Sequence, residues 1–256
     1  MANRDARQAV SKLRGVEAST FALLEETETE NIVSVPELCE ALNTPTVHLV
    51  GISCATGTED GRDLNVASVG FFSRSVRQKT EGLIERLQNL GKEVTLTLFV
   101  QDLEWVRTWG WFQPQSELRE EAWLQIEIAR EEGKAPPGDI LFWSDIEPKA
   151  VTAGCISYES ALRWAGESKQ SLALDADIRY RLSIPKFRYT RRAELEPSSR
   201  KRLADYALIG EALELLYPNA IFLQAADART DHLLGLRRKK SLPIIHPWRE
   251  REIPKS

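Results

Sequence analysis

Ser53 closes the apolar run Val47-His48-Leu49-Val50-Gly51-Ile52-Ser53, and Cys54-Ala55-Thr56-Gly57 follows it. A run this short, broken by glycine, reads as a buried strand that ends in a loop. In open α/β sheets ligands bind outside the carboxyl ends of the strands, so Ser53 is expected at the mouth of a site, as a nucleophile. A polar loop residue after a core strand is the plainer reading of the same serine. Acids collect around the same place: Glu59, Asp60 and Asp63 in the loop after the run, and Asp102 and Glu104 after the next strand. Backbone N–H groups beyond Ser53 would supply the donors that a tetrahedral oxyanion needs.

A second grouping could hold a polyanion. Nine basic residues lie between Arg179 and Arg202 (Arg179, Arg181, Lys186, Arg188, Arg191, Arg192, Arg200, Lys201, Arg202) against two acids, Glu194 and Glu196, a local net of +7. Tyr180, Phe187 and Tyr189 are interleaved with them, and Arg237-Arg238-Lys239-Lys240 adds a second cluster. Cations neutralise phosphates and aromatic rings offer stacking faces, so RNA is the expected partner, with a solvated basic face as the alternative. The whole chain is nonetheless at −4, with acids gathered at Glu25 to Glu30 and Glu117 to Glu132, so its charge should be polarised.

Other chemistries have little support. The three cysteines (Cys39, Cys54, Cys155) and three histidines (His48, His232, His246) have neither disulfide-framework nor zinc spacing, so no metal is expected. Gly-x-Gly-x-x-Gly and Gly-Lys-Ser/Thr phosphate loops are absent, as is a Gly-x-Ser-x-Gly elbow, so no nucleotide cofactor is expected. No apolar run approaches the ~20 residues that cross a bilayer, and the first residues lack a signal-peptide core, so a cytoplasmic protein without a membrane partner is expected.

The elements that must position these residues follow from periodicity. A length of 256 residues, 42% hydrophobic and 28% charged, suits one α/β domain with an ample core. Residues 1–30 read as a flexible or loosely docked segment, 31–248 as one Rossmann-like domain, and 249–256 as a polar tail. Helices are expected over 35–42, 67–90 (stopped by Gly91), 115–132, 157–169 (capped at its serine) and 200–217 (capped by Pro197-Ser198-Ser199). Strands are expected through Val50, over 94–100, over 139–145 and over 219–223, with an edge strand over 242–245. Residues 172–189 are ambiguous between strand and helix, and 227–236 read as a turn and short helix. Strand, helix, strand from Val47 to Val100 is a right-handed βαβ unit. The fold expected is a mainly parallel sheet flanked by helices.

Gly51-Ile52-Ser53 at the end of the first strand resembles the start of the tRNA-dependent cyclodipeptide synthases, whose strand-terminal Gly-Ile-Ser serine is the acyl acceptor. That family has a helix carrying Tyr and Glu, then a strand, then a Tyr-His pair. Here Tyr206 and Glu211 lie on a predicted helix, Phe222 in the following strand, and Asp231-His232 after it, and the spacing from Glu211 to Phe222 and His232 is similar to that of bacterial members. Two departures stand out: Asp231 replaces the usual Tyr, and Tyr206 is one residue too far from Glu211. They suit a divergent branch, such as the similar fungal synthases that make arginine-containing cyclodipeptides. The resemblance spans residues 46–236.

It implies a Rossmann-like domain similar to the class I aminoacyl-tRNA synthetase catalytic domain, with Ser53, Glu211, Tyr206, Asp231 and His232 as catalytic residues. Two aminoacyl-tRNAs would be the substrates and a diketopiperazine the product. An aminoacyl-tRNA ester is already activated, so no ATP site is required. For an arginyl substrate, Gly51, Glu59, Asp60, Asp63, Asp102 and Glu104 would line the pocket, the acids pairing with guanidinium. The two basic clusters would hold tRNA. A serine-dependent acyl hydrolase using Ser53 with a histidine and a non-catalytic RNA-binding module are the alternatives. Monomer and homodimer both remain open.

Overall fold

In the computed structural model of the protein, residues 32–33, 35–54, 74–103, 115–133, 138–183, 187, 189–224, 237 and 243–245 are described. They form β1 (Ile32–Val33), α1 (Val35–Leu42), β2 (Thr46–Cys54), α2 (Arg74–Asn89), β3 (Glu93–Gln101), α3 (Gln115–Glu131) and β4 (Asp139–Phe142). Then come α4 (Trp143–Thr152), α5 (Tyr158–Ala165), a 3-10 turn at Ser168–Gln170, α6 (Ser171–Ser183), α7 (Arg192–Leu216), β5 (Ile221–Gln224) and β6 (Ile244–Ile245). The expected N-terminal segment and polar tail, and the turn and short helix expected over 227–236, lie outside the described residues.

The sheet has the order β1-β6-β5-β2-β3-β4, and every pairing is parallel except β1 with β6. This is the mainly parallel α/β architecture expected. β2 and β3 pair in continuous register from Thr46↔Glu93 to Cys54↔Gln101, with α2 as the crossover between them. Gly91 ends that crossover at φ +77, a left-handed conformation, and Lys92 N–H donates to the Leu87 carbonyl at 3.1 Å. Gly138 is required before β4, because a Cβ there would stand 2.4 Å from the Leu96 carbonyl oxygen.

Alternation along β2 sends its residues to two cores. Val47 and Leu49 pack with Leu38, Leu42, Leu83 and Leu87 of α1 and α2. Val50 and Ile52 join Phe99, Phe222 and the buried faces of α4 to α7. α3 covers Val100 and Phe142 with Leu118, Ala122 and Ile126. The central strand is therefore apolar on both faces, as parallel sheets require. His48 is also held in this sheet, half-buried, with Nε2 3.0 Å from Thr97 Oγ1 and its ring edge-on to Tyr217 at 5.1 Å.

Several expected bounds move, each for a tertiary reason. The third strand was expected to run to Asp145 but ends at Phe142, and α4 begins at Trp143. Asp102 of the neighbouring strand end accepts from Ser144 N at 3.0 Å and Oγ at 2.5 Å, which draws the chain into a helix. The last long helix was expected from Arg200 but starts at Arg192 and runs through Pro197. Leu195 is buried there at 3% exposure, and the Ser198 hydroxyl donates to the Leu195 carbonyl at 2.9 Å, so the first turns are anchored despite the proline. The ambiguous 172–189 stretch begins as helix α6, whose inward positions are Leu174, Asp177, Ile178 and Arg181. β6 is not an edge strand: it lies between β1 and β5.

Candidate active site at the carboxyl ends of the central strands

From β2 the chain moves outward to β3 and then β4. After α4 to α7 it returns to the other side of β2 as β5. The reversal makes a topological switch point between β2 and β5, where α/β sheets of this kind bind ligands. Ile52 pairs with Gln224, the last residue of β5, and Ser53 with Val100, so Ser53 is one position beyond the end of β5. Gly51 is buried between Leu98 and Leu223.

Next along the same rim is Asp102, 1% exposed. Its carboxylate takes both the N–H and the hydroxyl of Ser144 at the start of α4. Arg119 of α3 donates to Ser144 Oγ at 3.1 Å and to both Asp145 oxygens at 2.7 Å, with its guanidinium 4.7 Å from the Phe142 ring centroid. Asp102, expected to meet a substrate guanidinium, is thus engaged by the helix start beside it. Ser144, Arg119 and Asp145 were not anticipated, because the sequence of 139–145 reads as one strand.

Glu211 is partly buried on α7. Its Oε1 accepts from Ile156 N–H at 3.4 Å, and its Oε2 from Arg237 Nε at 2.9 Å. The Arg237 guanidinium lies 5.4 Å from the Trp164 ring centroid. Beneath them, burial first and the Glu211 charge second push the Cys155 thiol up to about 11. Cys155 is therefore a protonated core residue at neutral pH and no thiolate nucleophile.

Tyr206, five residues before Glu211 on the same helix, is 2% exposed. Its ring is 5.3 Å from the guanidinium of Arg202, which pairs with buried Asp177 at 2.6 Å and also lies 5.7 Å from Tyr180. Five helical steps separate Tyr206 and Glu211 by about 140° around the axis. The structure does not bring them together as a pair on one face.

The basic residues divide in the same way. Arg181 is 1% exposed and donates to Ser198 and Ser199 hydroxyls at 2.7 and 3.0 Å. Arg192 pairs with Asp175, Arg200 with Glu196 at 2.6 Å, and Arg191 loosely with Glu194 at 4.0 Å. Arg179 is exposed on α6 and Lys201 half-buried on α7. Asp231, His232, Glu59, Asp60, Asp63, Glu104, Lys186, Arg188, Arg238, Lys239 and Lys240 lie outside the described residues. Among the described residues no cluster of His, Cys, Asp or Glu could hold a metal ion, and no helix is long and apolar enough to cross a membrane.

No protein-family model and no curated protein matches the chain. Among solved structures it is similar to the PvcA protein from Pseudomonas aeruginosa, with a TM-score of 0.50 and 13% identity over 93% of this chain and 81% of that one. A CDPS from Fluoribacter dumoffii aligns at a TM-score of 0.48 and 12% identity, over 78% of this chain and 89% of that one. A tyrosyl-tRNA synthetase from Archaeoglobus fulgidus aligns at 0.46 and 13%, over 90% and 64% of the two chains. The likeness to the PvcA protein is one of fold.

Proposed function

We propose that this chain is a tRNA-dependent cyclodipeptide synthase, an aminoacyltransferase that joins the aminoacyl groups of two tRNAs as a diketopiperazine. The observation that carries the reading is the position of Gly51-Ile52-Ser53 at the carboxyl end of the central strand, beside the switch point with β5. The sequence resemblance assigns the acyl-accepting serine to that tripeptide. The fold brings the same tripeptide to the rim where such a sheet takes its ligands.

In this mechanism the Ser53 hydroxyl attacks the ester carbonyl of the first aminoacyl-tRNA. A new ester forms on Ser53, and the tRNA ribose leaves with the serine proton. A covalent intermediate divides one difficult transfer into two easier ones. The amine of the bound aminoacyl group then attacks the ester carbonyl of the second aminoacyl-tRNA: a peptide bond forms, the ester bond to the second tRNA breaks, and that tRNA leaves with a proton from the amine, giving a dipeptidyl ester on Ser53. Attack by the dipeptide's free amine closes the diketopiperazine and restores the hydroxyl. Every acyl group arrives as an activated ester, so no step consumes ATP.

Glu211 is assigned the amine and its protons. The Arg237 guanidinium and the Ile156 N–H fix where its carboxylate points. Asp231 and His232 are assigned to the Ser53 hydroxyl on the strength of the resemblance. Tyr206, inside the core beneath Arg202, is assigned to holding α7 in place. Arginine as one of the two amino acids follows from the same resemblance, with Glu59, Asp60, Asp63 and Glu104 as its carboxylates.

Mass spectrometry of small molecules from bacteria expressing the full chain, beside Ser53→Ala, tests the reading. A diketopiperazine made by the wild type and lost in Ser53→Ala is expected. Soluble wild-type protein that yields none argues against it, and ester hydrolysis without tRNA would then favour the acyl hydrolase.

A further inference from the structure

Three aromatic residues are interleaved with the basic stretch, and the structure separates them. The Tyr180 ring lies against Arg202, 5.7 Å from its guanidinium. Phe187 is partly buried, with the Arg181 guanidinium 5.4 Å from its ring, and Arg181 is in turn held by Ser198 and Ser199 of α7. Tyr189 is 91% exposed. A lone exposed aromatic residue is ordinary and needs no explanation by itself. Its seating is what sets Tyr189 apart.

The Thr190 N–H donates to the Phe187 carbonyl at 2.9 Å, closing a turn between α6 and α7. Phe187 anchors one side of that turn through Arg181, and the helix beginning at Arg192 anchors the other. Tyr189 lies between the two residues that this hydrogen bond joins. Two residues further along the chain is Arg191, whose side chain is 87% exposed and meets Glu194 at 4.0 Å. Arg192 follows, its side chain 53% exposed and paired with Asp175. An exposed ring beside two arginines whose pairing carboxylates a phosphate can replace has what a single-stranded nucleic acid requires: a stacking face, and cations that track the backbone.

We propose that Tyr189 is a stacking platform for an unpaired base of an RNA whose phosphates are held by Arg191 and Arg192. The inference deepens the reading of an RNA-borne substrate given above and rests on it. It differs from a general basic patch in requiring a base outside a duplex, because stacked and paired bases present no free face.

Binding of the full-length chain to a short fluorescent single-stranded RNA, to the same strand annealed to its complement, and to a heparin fragment tests the proposal. Tyr189→Ala is expected to weaken the single strand by on the order of five- to a hundredfold, with its salt slope and the heparin affinity unchanged. Tyr189→Phe and Tyr189→Trp should bind as the wild type does, since each keeps a ring. The position is on the surface, so all three variants should keep the wild-type unfolding midpoint. Unchanged single-strand binding by Tyr189→Ala, or equal losses on single strand, duplex and heparin, would overturn the platform. So would a wild type that binds no RNA. Tyr189-dependent binding by a chain that makes no cyclodipeptide would support the platform while removing the synthase reading.

Discussion

Glu211 and Tyr206 share one unbroken helix but face directions about 140° apart, so the two side chains serve different surroundings. Glu211 meets Arg237 and the Ile156 N–H, whereas Tyr206 is closed into the core. On the proposed mechanism, Glu211→Gln should lower diketopiperazine formation by roughly a hundredfold, within the range of a positioned proton-transfer group, and leave the unfolding midpoint near that of the wild type. Tyr206→Ala should instead remove about 3–5 kcal/mol of stability, as deletion of a buried aromatic ring does. Steady-state product formation beside urea unfolding separates the two. A Glu211→Gln variant of full activity would contradict its assignment.

Asp102 and Ser144 act as a unit at the carboxyl rim. Two hydrogen bonds join them, and the one from the Ser144 hydroxyl needs both side chains, so the losses should not add. Asp102→Asn and Ser144→Ala are each expected to destabilise by about 1–2 kcal/mol, the scale of a lost helix cap. The double variant should fall short of their sum by about 0.5 kcal/mol or more. Denaturant unfolding of the four proteins in the cycle provides the number, and strict additivity would show the contact to be unimportant.

The buried pair Asp177 and Arg202, with side chains 2% and 11% exposed, ties α6 to α7 above Tyr206. Breaking such a pair leaves an uncompensated charge inside the molecule, so Arg202→Met is expected to cost about 3–5 kcal/mol. Replacing both partners, as Asp177→Leu with Arg202→Met, should recover most of that loss. Urea midpoints of the single and double variants decide it.

His48 predicts an acid-sensitive term. Burial holds its imidazole below the ordinary value of 6.5, with the Asp139 charge opposing in part. The unfolded chain therefore binds this proton more readily than the folded one. The associated stability is fully present above the unfolded value, declines as pH falls below 6.5, and is gone once pH has passed the folded value. His48→Gln keeps a hydrogen-bonding group for Thr97 but does not titrate. The wild type should lose more stability than His48→Gln between pH 7 and about 5, measured as the difference in their unfolding free energies. Parallel pH profiles would contradict it.

Much of the scaffold was legible because its signals are local. β2 and β3 carry apolar, β-branched runs, and α1 and α3 keep their helical spacing, so they fall where periodicity puts them. Misread elements depend on distant partners. Asp177 and Arg181 point into the core of α6 because each has a mate on α7, and charged residues on an inward face disguise the helical pattern. Pro197-Ser198-Ser199 has the composition of a helix start, yet buried Leu195 carries α7 past it. The same distinction holds for the site. The place of Ser53 follows from where an apolar strand stops. The engagement of Asp102 by Ser144, and of Glu211 by Arg237, joins residues 42 and 26 positions apart and leaves no trace in local pattern.

Ser53 as acyl acceptor is the central claim, and the intact mass of the purified protein after brief exposure to charged tRNA tests it most directly. The account predicts one added aminoacyl group on the wild-type chain, released by mild base as an ester is, and absent from Ser53→Ala. An adduct of the same mass on folded Ser53→Ala would contradict it.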